Sequence, residues 1–313
     1  MGRYDFHGKL RAPMTAHPKI DPVSGEMFLT SFGPLPPYLR YHVIGADAAL
    51  RRTETIDVKG PSLMHDWAIT ENHVMFFDLP VVFDTDYLMA SGFPYRWDDD
   101  YGAGVGVMPK EGTSGAVQWF EIDPCYFVHS ANAYEDDSSI VLEAPRYPKF
   151  MEAGKPDILA QGIESELYRW TFDLTTGRVG EGALDDRPVE FPRINEQRMG
   201  RRHAISYAIG GQITDDAVAF ESIVKHDGRT GVGSVHRMDH GRVPSEAIFV
   251  PAKDATDEDD GWLLSFVYDP RRDASDLVII DASRFTAAPQ AVIGLPARVP
   301  FGFHGTWVGA DPA

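Results

Sequence analysis

Six short runs of apolar and aromatic residues, each followed by an aspartate or a small residue and then a turn, recur along this chain. They constrain its fold more than any other feature. They are Tyr41-His42-Val43-Ile44-Gly45-Ala46-Asp47, Val74-Met75-Phe76-Phe77-Asp78-Leu79, Trp119-Phe120-Glu121-Ile122-Asp123-Pro124, Trp170-Thr171-Phe172-Asp173-Leu174, Val235-His236-Arg237-Met238-Asp239 and Leu277-Val278-Ile279-Ile280-Asp281. Runs this short, rich in β-branched and aromatic residues, read as strands rather than helices. Long amphipathic helical stretches are hard to find, and 29 glycines and 23 prolines supply the turns. The runs start about 30 to 65 residues apart, and a four-stranded propeller blade takes roughly 40 to 50 residues with insertions in its loops. The expectation is an all-β chain, a β-propeller forming a single domain over residues 1–313, with a pair of β-sandwiches as the competing arrangement.

Charge and cysteine content narrow the function. Lys+Arg of 29 against Asp+Glu of 47 gives a formal charge of -18. Such a surface repels phosphates, which argues against nucleic acid as a partner and against docking on anionic lipid by charge. No run approaches the ~20 apolar residues of a membrane-spanning helix, and the first residues lack the apolar core of a secretory signal. Cys125 is the one cysteine, which rules out internal disulfides and multi-cysteine metal sites. A soluble, cytoplasmic protein is expected.

Several catalytic signatures are missing: the G-x-S-x-G elbow, H-E-x-x-H and the G-x-x-x-x-G-K-[ST] phosphate loop. Gly102-Ala103-Gly104-Val105-Gly106 has its third glycine in the wrong place for a dinucleotide loop and lacks a βαβ setting. Cys125 lies in the aromatic stretch Pro124-Cys125-Tyr126-Phe127, where a buried, inert thiol is expected. The acidic stretches Asp98-Asp99-Asp100 and Asp254 to Asp260 read as solvated loops, with weak calcium binding as the alternative.

Four of the eleven histidines stand out by their surroundings. They are His17 in Thr15-Ala16-His17-Pro18-Lys19, His65 in Met64-His65-Asp66-Trp67, His129 in Phe127-Val128-His129-Ser130-Ala131-Asn132, and His304 in Phe301-Gly302-Phe303-His304-Gly305-Thr306-Trp307. Apolar and small neighbours desolvate an imidazole, keep it neutral and leave it able to bind a metal. The four are too far apart for one local motif. In a propeller, however, the inner strands of all blades face one axis, where remote residues meet. Taken singly, each of the four reads as readily as a structural histidine.

These four segments, with Glu190-Phe191-Pro192-Arg193-Ile194-Asn195 and Pro244-Ser245-Glu246-Ala247-Ile248-Phe249-Val250-Pro251 continuing to Glu258-Asp259-Asp260-Gly261-Trp262, resemble the carotenoid cleavage oxygenase family. That family includes the retinal pigment epithelium isomerase, apocarotenoid oxygenases and bacterial lignostilbene dioxygenases. The motifs run in family order over nearly the whole chain. The resemblance implies a seven-bladed propeller with one Fe(II) on its axis, held by His17, His65, His129 and His304. It further implies that Glu190 serves the far nitrogen of His129 and Glu246 that of His304. Such partners fix the tautomer of a ligating imidazole and raise its basicity. The other histidines (His7, His42, His73, His203, His226, His236 and His240) match no ligand motif and read as surface or turn residues. Glu135, after Asn132-Ala133-Tyr134, lies near the ligand segments in sequence and is a lesser candidate for a role at the metal.

Family members usually carry well over a hundred residues before the first ligand histidine. The expectation from that difference is a propeller incomplete at its N-terminal blade, lacking the upstream glutamate that would serve His65. Asp5 is the one carboxylate before His17. The implied activity is a dioxygenase splitting a C=C bond of an apocarotenoid or a phenolic stilbene with O2 into two carbonyl products. A small apolar or phenolic alkene and O2 are the implied partners, and an all-histidine site suits a reaction that needs no outside electrons. Phe127, Tyr134, Phe303 and Trp307 are candidates to line the tunnel, with core packing the equal alternative. Two other readings stay open: a non-catalytic propeller remnant and a calcium-dependent propeller hydrolase or lactonase.

Overall fold

The computed structural model describes residues 4–152, 165–213, 218–300 and 304–309. Those residues are almost entirely β, with one short α-helix, Thr85–Ser91, among them. They divide into two compact units: Met1–Gln161, Arg169–Gly182 and Met199–Arg202 in the first, Gly162–Tyr168, Ala183–Arg198 and His203–Ala313 in the second.

Antiparallel sheets built from consecutive strands repeat along the chain. The first holds Lys19–Ile20, Met27–Phe32, Leu39–Ile44 and Leu50–Ile56, paired in chain order. The second holds Ala68–Ile69, His73–Asp78, Gly104–Pro109 and Gln118–Glu121. The third holds Asn132–Asp136, Ser139–Arg146, Glu166–Asp173 and Val179–Asp185, and the unit boundary falls within its last two strands. The fourth holds Val189–Ile194, Ile205–Ile213, Val218–Asp227 and Val232–Arg237. In the fifth, Val243–Pro244 and Ile248–Pro251 both pair with Gly261–Asp269, which is followed by Ala274–Asp281 and Ala291–Gly294. A hairpin of Val81–Phe83 with Tyr95–Trp97 flanks the helix, which Asp84 caps by accepting the N–H of Tyr87.

Burial follows strand position. His73–Asp78 is buried on both faces from Val74 onward, and Ser139–Arg146 is buried through all but its end residues. That two-sided burial explains why Val74-Met75-Phe76-Phe77 is continuously apolar instead of alternating. Leu50–Ile56, the last strand of the first sheet, buries Leu50 and Ile56 at its ends and puts alternating polar residues between them. In the first unit Phe127 packs edge-on against Phe77 at 4.6 Å, and Phe120 against Phe172 at 5.3 Å. In the second, Ile205, Tyr207, Leu263, Val267, Val278 and Phe285 belong to one buried cluster. Gly106 has a local cause: a Cβ there would lie 2.9 Å from the Trp119 ring, which covers this glycine from the paired strand.

The six runs all fall on strands, yet they do not mark six sheets. The runs at residues 74 and 119 belong to one sheet. Between them the chain inserts the hairpin, the helix and the strand Gly104–Pro109, so spacing alone split one sheet into two.

Candidate metal centre

The first strand of each of the first three sheets is entered through a histidine. His17 precedes Lys19–Ile20 by two residues, His65 precedes Ala68–Ile69 by three, and His129 precedes Asn132–Asp136 by three. All three histidines lie in the first unit. Their ligand nitrogens lie within 4.8 Å of one another. His17 Nε2 and His65 Nε2 are 3.1 Å apart. Two neighbouring ligands at right angles on one ion, with bonds of roughly 2.1 Å, would stand about 3 Å apart, so this spacing fits a shared metal. The three rings meet edge to face, with centroids 4.8, 5.0 and 5.2 Å apart. That arrangement points their nitrogens at a common region rather than stacking their faces.

Protonation favours the same use. Burial is the main cause that pushes His17 down to about 3, with Lys19 and the other two imidazoles adding to it against the pull of Asp66. A neutral imidazole keeps the lone pair a metal needs. The donor set, three imidazoles with no thiolate among them, suits a borderline ion such as iron, copper or zinc.

The backbone around the trio is tied down from several sides. Trp67 Nε1–H donates to the carbonyl of His17 at 2.9 Å. Tyr126 O–H donates to the carbonyl of Leu63, two residues before His65, at 2.8 Å. The N–H of Ala131 donates to Glu143 at 2.8 Å, and the Asn132 side chain joins Gly200 and Arg201. Behind His17, Asp21 accepts from Lys110 at 2.8 Å and Arg201 at 3.1 Å. Burial opposes its ionisation, but Lys110 and the backbone N–H groups of Val23 and Ser24 hold its carboxyl down at about 2. Asp5 caps a turn by accepting the N–H of Gly8 at 2.9 Å.

His304 lies in the second unit, where Glu246 holds it. Glu246 Oε1 stands 3.3 Å from His304 Nδ1, and Oε2 accepts the N–H of Gly305 at 2.9 Å. Arg193 reaches the same Oε1 at 3.4 Å. Burial raises the Glu246 pKa, yet the His304 hydrogen bond and the Arg193 charge outweigh it and hold the carboxyl low. Phe191 packs edge-on against the His304 ring at 5.7 Å. His304 also borders a cavity of about 330 Å3, whose walls include Leu264, Phe266, Leu277 and Trp307.

Glu190 is buried at a break in its strand, where the register shifts between Glu190 and Arg193. Phe191 there has φ of 53°, a conformation uncommon for a bulky residue, and Pro192 has no N–H for the ladder. Bulges of this kind re-aim a side chain and recur beside functional sites. One Glu190 carboxylate oxygen accepts the N–H of Phe191.

Other expectations need correction. His42, His203, His226 and His236 are buried, not surface or turn residues. His42 sits between the hydroxyls of Ser31 at 2.9 Å and Thr53 at 2.8 Å, and His236 Nδ1–H donates to the carbonyl of Phe285 at 2.8 Å. For His42 and His236 these partners offset the cost of burying a polar ring. Glu135 fastens a turn, accepting from Thr70, Asn72 and His73 at 2.6 to 2.9 Å. Phe127 is core, Tyr134 lies under the guanidinium of Arg202 at 5.1 Å, and Phe303 lies outside the described residues. Cys125 is buried, and burial pushes its thiol up to about 12, in keeping with an inert residue. In the acidic stretch before Gly261, residues 254–257 are exposed, as expected of a solvated loop, while Glu258 accepts the N–H groups of Ala204 and Ile205 and Asp259 pairs with Lys225 at 2.5 Å. Asp99 and Asp100 are exposed as expected, and Asp99 accepts from Trp97 and Lys149 at the surface. Among the described residues no helix is long and apolar enough to cross a membrane.

Comparison with known proteins places this geometry. The sequence model of the retinal pigment epithelial membrane protein family matches residues 1–309. Carotenoid 9,10(9',10')-cleavage dioxygenase 1 of Arabidopsis thaliana is 35% identical over 326 residues, covering 98% of this chain and 60% of the plant protein. A carotenoid cleavage oxygenase of Mycobacterium tuberculosis is 35% identical, covering 98% of this chain and 70% of that protein. The chain thus spans between 60% and 70% of the length of these two curated relatives. Among solved structures, Pseudomonas brassicacearum lignostilbene dioxygenase superposes with a TM-score of 0.88 at 27% identity, covering 99% of this chain and 69% of that one. Cobalt-substituted Synechocystis ACO superposes with a TM-score of 0.89 at 26% identity, over 99% of this chain and 68% of that one. The sheets described above are therefore those of the carotenoid oxygenase propeller fold, and the chain belongs to the retinal pigment epithelial membrane protein family, the family of the carotenoid cleavage oxygenases.

Proposed function

We propose that this chain holds Fe(II) through His17, His65, His129 and His304 and splits a C=C bond of an apocarotenoid or a phenolic stilbene with O2. The observation that carries the reading is the trio of His17, His65 and His129, with nitrogens within 4.8 Å of one another on the segments that match the family motifs. Relatives named for cleaving carotenoids and lignostilbenes supply the substrate class. Once bound, iron supplies the activation of O2 that lets both oxygen atoms enter the alkene carbons.

The protein's own part is placement and protonation state. Burial keeps His17 neutral, so its Nε2 stays open to the ion at physiological pH. Glu246, an acceptor on the far nitrogen of His304, sets the tautomer in which Nδ1 carries the proton and Nε2 is free for the metal. We assign Glu190 the corresponding duty toward His129, since the strand break at Phe191-Pro192 re-aims this buried carboxylate. No side chain in this scheme has to carry a proton to the substrate, because alkene scission by O2 forms two carbonyls without net proton transfer.

The test is to load the chain with Fe(II), supply a hydroxystilbene or an apocarotenoid under 18O2, and analyse the products by mass spectrometry. The expected result is two carbonyl products, each labelled in its new oxygen when hydrolytic exchange is suppressed. Absence of O2-dependent cleavage with both substrates, despite bound iron, would contradict the activity.

A further inference from the structure

The buried carboxylate of Asp66 touches all three ligand-bearing segments of the first unit. Its Oδ1 lies 2.7 Å from Nζ of Lys19, two residues after His17. Its Oδ2 accepts the backbone N–H of Ser130 at 2.7 Å and lies 2.8 Å from the Ser130 hydroxyl, one residue after His129. Asp66 itself directly follows His65. Side-chain exposure is 2% for Asp66 and 10% for Lys19, so water screens this ion pair little. The next residue, Trp67, repeats the pattern: Nε1–H holds the carbonyl of His17, and its own carbonyl lies 3.2 Å from the Ser130 hydroxyl.

We infer that Asp66 is a positioning residue, a clasp that sets the spacing of His17, His65 and His129 by binding Lys19 and Ser130 on either side of its own segment. The inference rests on the metal-site reading above and adds three residues to it: Asp66, Lys19 and Ser130. A carboxylate suits the post because it accepts several bonds at once and carries the charge that Lys19 needs in a buried place. The three histidine segments come from three different sheets and share no strand pairing beside the trio. Their mutual spacing therefore depends on side chains that cross between them, and outer partners of metal ligands typically change affinity by roughly 10 to 100-fold.

The experiment titrates the full chain with Co(II), reading the visible absorption of the bound ion, with thermal unfolding followed in parallel. Asp66→Asn keeps an acceptor for Ser130 but removes the charge facing Lys19. It should weaken Co(II) binding by about 10 to 100-fold and alter the cobalt spectrum. If that variant does not fold, Ser130→Ala, Lys19→Met and their double variant decide. Because both act through one carboxylate, their effects on Co(II) affinity should be non-additive, the double variant losing less than the product of the two single losses. Folded variants that bind Co(II) with unchanged affinity and spectrum, or single losses that simply multiply, would overturn the clasp. Failure of the unaltered chain to bind Co(II) at all would instead overturn the metal-site reading on which the clasp depends.

Discussion

The trio in the first unit and His304 in the second are held in different ways. His17, His65 and His129 each stand at the entry to a sheet, on segments tied to one another and to the core by bonds from Trp67, Tyr126 and Ser130. His304 sits on a described stretch of six residues with no strand pairing, exposed and beside an apolar cavity, and Glu246 is its main anchor. The trio's segments are thus joined by a network with many members, whereas at His304 one carboxylate grips both the imidazole and the next backbone N–H. That difference leads to different responses to mutation.

Loss of a trio ligand should have the largest effect. His65→Ala removes one of the two nitrogens that stand 3.1 Å apart, and metal affinity should fall by more than the ~100-fold upper end seen for outer partners. Equilibrium dialysis against Fe(II) or Co(II) checks this; retention of full affinity would place the ion elsewhere. Glu246→Gln comes next. It should cost about 10 to 100-fold in metal affinity, since an amide orients the imidazole less firmly, while leaving the trio and its spacing intact. A Glu246→Gln chain indistinguishable from the parent would reduce this residue to a fastener of Gly305.

The smallest effect concerns stability away from the metal. Burial lowers the pKa of His42 from 6.5 to about 4. As pH falls through that window the unfolded chain takes the proton first, so His42 costs stability progressively from about pH 6.5 down to pH 4. His42→Gln, which retains polar reach toward Ser31 and Thr53, should flatten the pH dependence of urea unfolding over that window without moving metal affinity. An unchanged slope would mean that this histidine protonates equally in both states.

The all-β character was legible because buried strands such as Val74-Met75-Phe76-Phe77 need apolar residues on both faces, and that leaves a local signature. Sheet boundaries were not legible, because the insertion between Asp78 and Gly104 separates strands that pair directly. The histidine segments were visible through their apolar flanks. The burial of His42 and His236 was not, since their partners lie 11 and 49 residues away. The same reason hid Asp66: in sequence it is an ordinary charge after His65, and its partner Ser130 is 64 residues distant. Local composition records which faces a residue must satisfy; it does not record which remote group satisfies them.

The proposal that matters most is a single iron with four imidazole ligands, His304 being the fourth. X-ray absorption spectroscopy of the Fe(II)-loaded chain and of its His304→Ala variant tests this most directly, since multiple scattering from imidazole rings counts them. The account predicts four imidazoles on one iron per chain and three in the variant. Three imidazoles in the parent chain, unchanged by removing His304, would contradict it.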